Sequence, residues 1–220
     1  MFAGLKKRLL IAHFRIPESR SRREMKEKGS MEGFCCRVMP YQDGNRNSGE
    51  GSLRMNLRLL VVAIALVLSA MLLGTGVYQN VVDAPNYMGA PTSLEHARGF
   101  YHATNPGMFF RWLVPATQLF ILFALVANWK LAPSMRWTLG GALVFLVLTD
   151  VITFRFHYPR NDILFVAPLT QSAAYYDGIV REWAIGNYAR VALILVSAVL
   201  LMVSLIRIAR DTATSEHRLS

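Results

Sequence analysis

The amino-acid sequence predicts an all-α integral membrane protein, a four-helix bundle with a disordered basic N-terminal extension. Three observations lead there. Apolar residues make up 53% of the 220 and charged residues only 17%, and the apolar ones collect in four long runs instead of alternating with polar ones. The net charge of +10 is lopsided: residues 1–58 hold 13 Lys/Arg against 6 Asp/Glu, while the rest hold 11 against 8. Trp112, Trp129, Trp137 and Trp183 fall near the ends of the runs, where an interfacial aromatic belt sits.

Residues 1–54 are polar and, beyond the first dozen, without period, so they cannot bury enough apolar surface to offset the entropy of ordering. Phe2 to Phe14 has the pattern of a short basic amphipathic helix lying on a membrane surface. Met55-Asn-Leu-Arg-Leu-Leu60 also reads as a natural start, which would make residues 1–54 a wrongly assigned upstream extension. Both readings stand at this point.

The domain proper is expected over residues 55–210. Leu59 to Tyr78 runs 20 residues without a charge, enough at 1.5 Å per residue to cross about 30 Å of hydrocarbon. A cleaved signal peptide would have a shorter core and a small-residue cleavage site. The second span is expected at 109–128, the third at 137–156 and the fourth at 188–206, with 211–220 as a tail. Pro159 is expected to end or kink the third helix. Long loops are expected at Asn80–Met108 and His157–Asn187, and a short link joins Trp129 to Arg136. Lys130, Arg136, Arg207 and Arg210 cluster at the short link and the tail, whereas the long loops mix signs. The positive-inside rule then puts both termini in the cytoplasm of a multi-pass inner-membrane protein and both long loops outside.

Several chemistries drop out. The basic charge belongs mostly to the N-terminal segment, so a nucleic-acid partner is not indicated. The two cysteines, Cys35 and Cys36, both precede the first span, which removes thiolate-ligated haem, iron–sulfur and dithiol chemistry from the membrane part. Palmitoylation or redox reactivity of the pair has no support from its surroundings. His96, His102 and His157 lack the close spacing of a helical metal motif, so no metal and no cofactor are expected. Phosphate loops, dinucleotide turns and nucleophile elbows are absent. The Gly140-Gly141 pair reads as close helix packing.

Charges inside spans cost a few kcal/mol on insertion scales and call for an explanation. Asp150, Thr153 or Phe154, His157 and Asn161 recur at helical spacing, as do Trp183, Asn187 and Arg190. If both faces point inward, they form a polar cluster near the external side, with Arg111 at the entry of the second helix as a further member. Asp150 would pair there with Arg111, Arg155 or Arg190. Two readings fit the cluster, a register-fixing network or a substrate and proton site.

From Met55 onward the chain resembles the anthrone-oxygenase-like family of small four-helix membrane proteins, most of unknown function. The features that carry this are Gly74-Thr-Gly-Val-Tyr-Gln-Asn80 running towards Pro85, Phe109-Phe-Arg-Trp-Leu-Val-Pro115, Asp150 with His157-Tyr-Pro-Arg-Asn161, and Trp183-Ala-Ile-Gly-Asn-Tyr-Ala-Arg190. The Pro-x-Asn followed by Trp-x-x-x-Asn-x-x-Arg is the most specific part, and residues 1–54 lie outside the resemblance. It implies a cofactor-independent oxygenase acting on a hydrophobic aromatic substrate that enters from the lipid bilayer. His157 and Arg190 would be the catalytic residues, and Asp150, Asn161, Trp183, Asn187 and Arg111 the substrate-binding ones. The rival expectation is a non-enzymatic membrane protein, a structural subunit or small-solute carrier, although no internal repeat supports a carrier.

Overall fold

The computed structural model describes residues 47–104, 106–130 and 132–217, and every described element is helical. α1 covers Asn47–Tyr78 and passes through a π-turn, Gln79–Asp83, into the short α2, Ala84–Tyr87. α3 is Thr92–Phe100 and α4 is Pro106–Ala127. α5, Pro133–Ile152, continues through a second π-turn at Thr153–His157, the single-turn α6 at Tyr158–Asn161 and a third π-turn at Asp162–Val166. α7 is Ala173–His217. Four stretches are long and apolar enough to cross a membrane: Met55–Tyr87, Pro106–Ala127, Pro133–Val166 and Ala173–Thr214.

These four close into a ring, α1 against α4, α4 against α5, α5 against α7 and α7 against α1. The inward stripe of α1 is Val62, Ala65, Ser69, Leu72 and Gly76, and that of α7 is Ile194, Ser197, Leu201, Ser204 and Ile208. Steps of three and four residues put both on one helical face, the pattern of left-handed bundle packing. Small residues recur in the stripes because lipid supplies little hydrophobic drive between helices, so close van der Waals contact and hydrogen bonds hold them. Ser197 donates to the Ala142 carbonyl at 2.9 Å, and Ser204 to Thr138 Oγ1 at 2.9 Å, which ties α7 to α5. Val67, Phe123, Val126, Val144 and Val199 point outward and are exposed, as lipid-facing side chains are.

One end of the bundle carries a cap. Ala84, Tyr87, Leu94, Leu164, Tyr176, Val180 and Trp183 form a second apolar cluster there. Gly89, with φ +80°, turns the chain between α2 and α3 and donates its N–H to Asp177 Oδ1 at 2.9 Å. Arg98 on α3 donates to the Leu164 and Ala167 carbonyls at 2.7–3.0 Å, closing the frayed end of the third π-turn.

The spans are therefore longer than the apolar runs. α1 begins at Asn47, so the expected disorder does not reach residue 54; residues 1–46, with the Phe2–Phe14 helix and the cysteine pair, lie outside the described residues. α7 begins at Ala173 rather than near 188 and runs into the expected tail. The expected long loops are mostly helix, leaving short links at 88–91, 101–104 and 167–172. Pro159 does not break the third span. The preceding π-turn lets Tyr158 N–H reach the Thr153 carbonyl, Pro159 falls in the first turn of α6, and Arg160 Nη1 donates to the Phe156 carbonyl at 3.0 Å. Trp112, Trp129 and Trp137 are exposed as belt residues should be, but Trp183 is 4% exposed and belongs to the cap. Of the glycine pair, a Cβ on Gly141 would touch Leu200, whereas Gly140 faces open space.

Candidate functional site

Beneath the cap lies a cavity of about 680 Å³. It exists because α4 leans on α1 and α5 but makes no extensive contact with the Thr153–His157 turn, so the bundle opens between them. All three π-turns supply wall residues: Gln79 from the first, Thr153, Phe154 and His157 from the second, Phe165 and Val166 from the third. Each π-turn re-aims side chains that a regular helix would carry elsewhere, a common device at functional sites. Phe154, Tyr158 and Val166 are also largely exposed, so one wall opens to the outside of the bundle. Tyr87, Tyr101, Phe110 and Trp183 add aromatic surface to the remainder, beside the charged Arg98, Arg111, Asp150 and Arg190.

Six of the seven residues expected from the sequence face this cavity: Arg111, Asp150, His157, Asn161, Trp183 and Arg190. Asn187 does not. It is 1% exposed and donates to the Gly76 carbonyl at 3.0 Å, bolting α7 to α1. Its Oδ1 accepts from Arg190 Nη1 at 3.4 Å, so it holds the arginine rather than a ligand. The expected arginine partner of Asp150 is also replaced: Gln118 Nε2 donates to Asp150 Oδ2, and no arginine among the described residues lies within 4.0 Å of that carboxylate. Arg190 acts on Asp150 through space without a contact ion pair. Arg111 is exposed at the cavity edge, without a partner among the described residues.

His157 is 1% exposed, the least of the titratable groups among the described residues. Its ring meets Trp183 edge to face at 5.5 Å and Phe156 at 5.8 Å. Neither ring nitrogen has a well-formed hydrogen bond, the nearest backbone being that of Gly186, whose missing side chain admits the Phe156 and His157 rings. Trp183 Nε1 donates to Asn161 Oδ1 at 2.9 Å, which fixes the indole that backs the histidine. Arg190, 9% exposed, lies 5.4 Å from the Phe110 ring centre, and its Nε has no acceptor.

Sequence reasoning gave Gln118 and Gln79 no role and placed Asp83, Tyr87 and Tyr101 in a loop. Tyr101 donates to Asp83 Oδ1 at 3.3 Å. Burial raises the Tyr101 hydroxyl above its ordinary value, with the Asp83 charge adding to the effect, so it stays a donor at neutral pH. The readable signal was the polar spacing Gln79, Asn80, Asp83 directly after an apolar run. No group of three or more His, Cys, Asp or Glu comes together among the described residues. No protein-family model, curated protein or solved structure matches the chain.

Proposed function

We propose that the cavity binds a hydrophobic aromatic small molecule and that the protein is a cofactor-independent oxygenase. One observation carries this: His157 and Arg190 both line the same cavity, and neither the His157 ring nitrogens nor Arg190 Nε has a well-formed hydrogen bond. His157 would take a proton from an acidic C–H flanked by aromatic and carbonyl groups. The resulting anion, held by the Arg190 guanidinium, gives electrons to dioxygen and forms a C–O bond. Return of the proton yields a hydroperoxide, and its loss of water leaves a carbonyl. The balance is R₂CH₂ + O₂ → R₂C=O + H₂O, with dioxygen as the only oxidant. The wall formed by Phe154, Tyr158 and Val166 suits entry from the bilayer. The resemblance to anthrone-oxygenase-like proteins supports the same reading, and we place the protein in the inner membrane with both termini cytoplasmic and the cap outside.

The non-enzymatic alternative gains from Asn187 and Asn161, which are already spent on protein partners. Oxygen consumption by the purified protein with anthrone-type substrates separates the two. The expected result is stoichiometric uptake that falls by about 10²-fold or more in His157→Gln, with substrate binding retained by tryptophan quenching. Unchanged uptake in that variant, or none in the native protein, would sink the oxygenase reading.

A further inference from the structure

The first π-turn buries more polarity than the cavity uses. Gln79, Asn80 and Asp83 are 7%, 5% and 4% exposed. Tyr101 serves Asp83 Oδ1, but Asp83 Oδ2, Gln79 Oε1 and both side-chain atoms of Asn80 have no partner. Since either end of Asn80 is free, an amide oxygen is available there whichever way the group is turned. Residues three and four apart are neighbours on a helical surface, so Asn80 and Gln79 each neighbour Asp83 on the turn, and all three side chains are buried. The sole contact ion pair between Lys or Arg and a carboxylate among the described residues is Arg160–Glu182. Asp83 therefore sits buried in a membrane span with no cationic side chain beside it.

A buried carboxylate must be neutralised, by a proton or by a cation. A proton on Oδ2 would supply one donor and reach at most one of the two amide oxygens. A cation held between them would engage all three oxygens. One carboxylate with two neutral amides balances a single positive charge, whereas a calcium site carries more carboxylate. We propose that the Gln79–Asp83 turn is a monovalent alkali-cation site, with sodium as its ion and Asp83 Oδ2, Asn80 Oδ1 and Gln79 Oε1 as side-chain ligands. Bound there, the ion fastens the end of α1 to α3 through Asp83 and Tyr101 and sets the Gln79 wall of the cavity.

The test is the thermal midpoint of the purified full chain in detergent, titrated with sodium, lithium, potassium or choline chloride at constant ionic strength. Saturable stabilisation by sodium over choline is expected, following the linkage of a ligand to the folded state. Asp83→Asn should abolish it, and Asn80→Leu should raise the half-saturating concentration at least tenfold. His157→Gln should retain it, which keeps the site separate from the proposed oxygenase chemistry. Equal response to all four salts overturns the proposal, as does a sodium response that survives Asp83→Asn. Should Asp83→Asn fail to fold, unchanged half-saturation in both Asn80→Leu and Gln79→Leu overturns it equally.

Discussion

At the scale of single residues, Asn187 and His157 separate scaffold from site although both are 1% exposed. Asn187 holds the Gly76 carbonyl with one end and Arg190 with the other. Asn187→Ala should cost about 1–3 kcal/mol, because it strands a buried carbonyl and an arginine together. His157 makes ring contacts but no well-formed hydrogen bond, so a side chain of similar size keeps most of what it contributes to folding. His157→Gln should leave the thermal midpoint in detergent within error while removing activity. A drop as large as that of Asn187→Ala would make the histidine a scaffold residue. Helical spacing alone put Asp150, His157 and Arg190 in one place, because a 3–4 rhythm survives wherever the chain stays helical. It could not tell Asn187 from its neighbours. Which atoms an amide finds depends on the partner helix, and the Gly76 carbonyl is 111 positions away in sequence.

At the scale of elements, the centres of the four spans were legible and their ends were not. Uninterrupted apolar runs mark hydrocarbon thickness, but α7 continues beyond it with Asp177, Arg181 and Glu182 outward and Tyr176, Val180 and Trp183 inward. Charges on one face ended the apolar run without ending the helix. The π-turns were invisible because a shift from i+4 to i+5 bonding leaves no compositional mark, and Pro159 then pointed to a break that the preceding turn absorbs. The α5 extension and α7 meet where Gly186 gives way to the Phe156 and His157 rings. A Cβ there would overlap the Phe156 ring, so Gly186→Ala should destabilise by about 1–3 kcal/mol, as overpacking does. Gly140→Ala is the control: nothing lies within 4 Å of its Cβ position, and alanine favours helix over glycine by up to about 1 kcal/mol. Equal midpoints for the two variants would mean that the close approach at Gly186 is not a feature of the folded protein.

At the scale of the whole molecule, the bundle has two unlike ends. Lys130, Arg136, Arg207 and Arg210 gather at the end away from the cap, where the α4–α5 link is short and α7 finishes. The capped end mixes Glu95, Arg98, Asp162, Asp177, Arg181 and Glu182, and several of these are engaged within the protein: Arg98 with carbonyls, Asp177 with Gly89, Glu182 with Arg160. Retention of cations follows charge in short connections, so the end away from the cap is the one expected to stay in the cytoplasm. Thr104 and Thr170 are exposed in links at the capped end, and Lys130 is exposed at the other. With Cys35 and Cys36 replaced, Thr104→Cys and Thr170→Cys should react with a membrane-impermeant thiol reagent in intact cells, and Lys130→Cys only after lysis. The reverse pattern would place the cavity on the cytoplasmic side, and labelling of Thr104 and Lys130 alike in intact cells would mean that α4 does not cross the membrane.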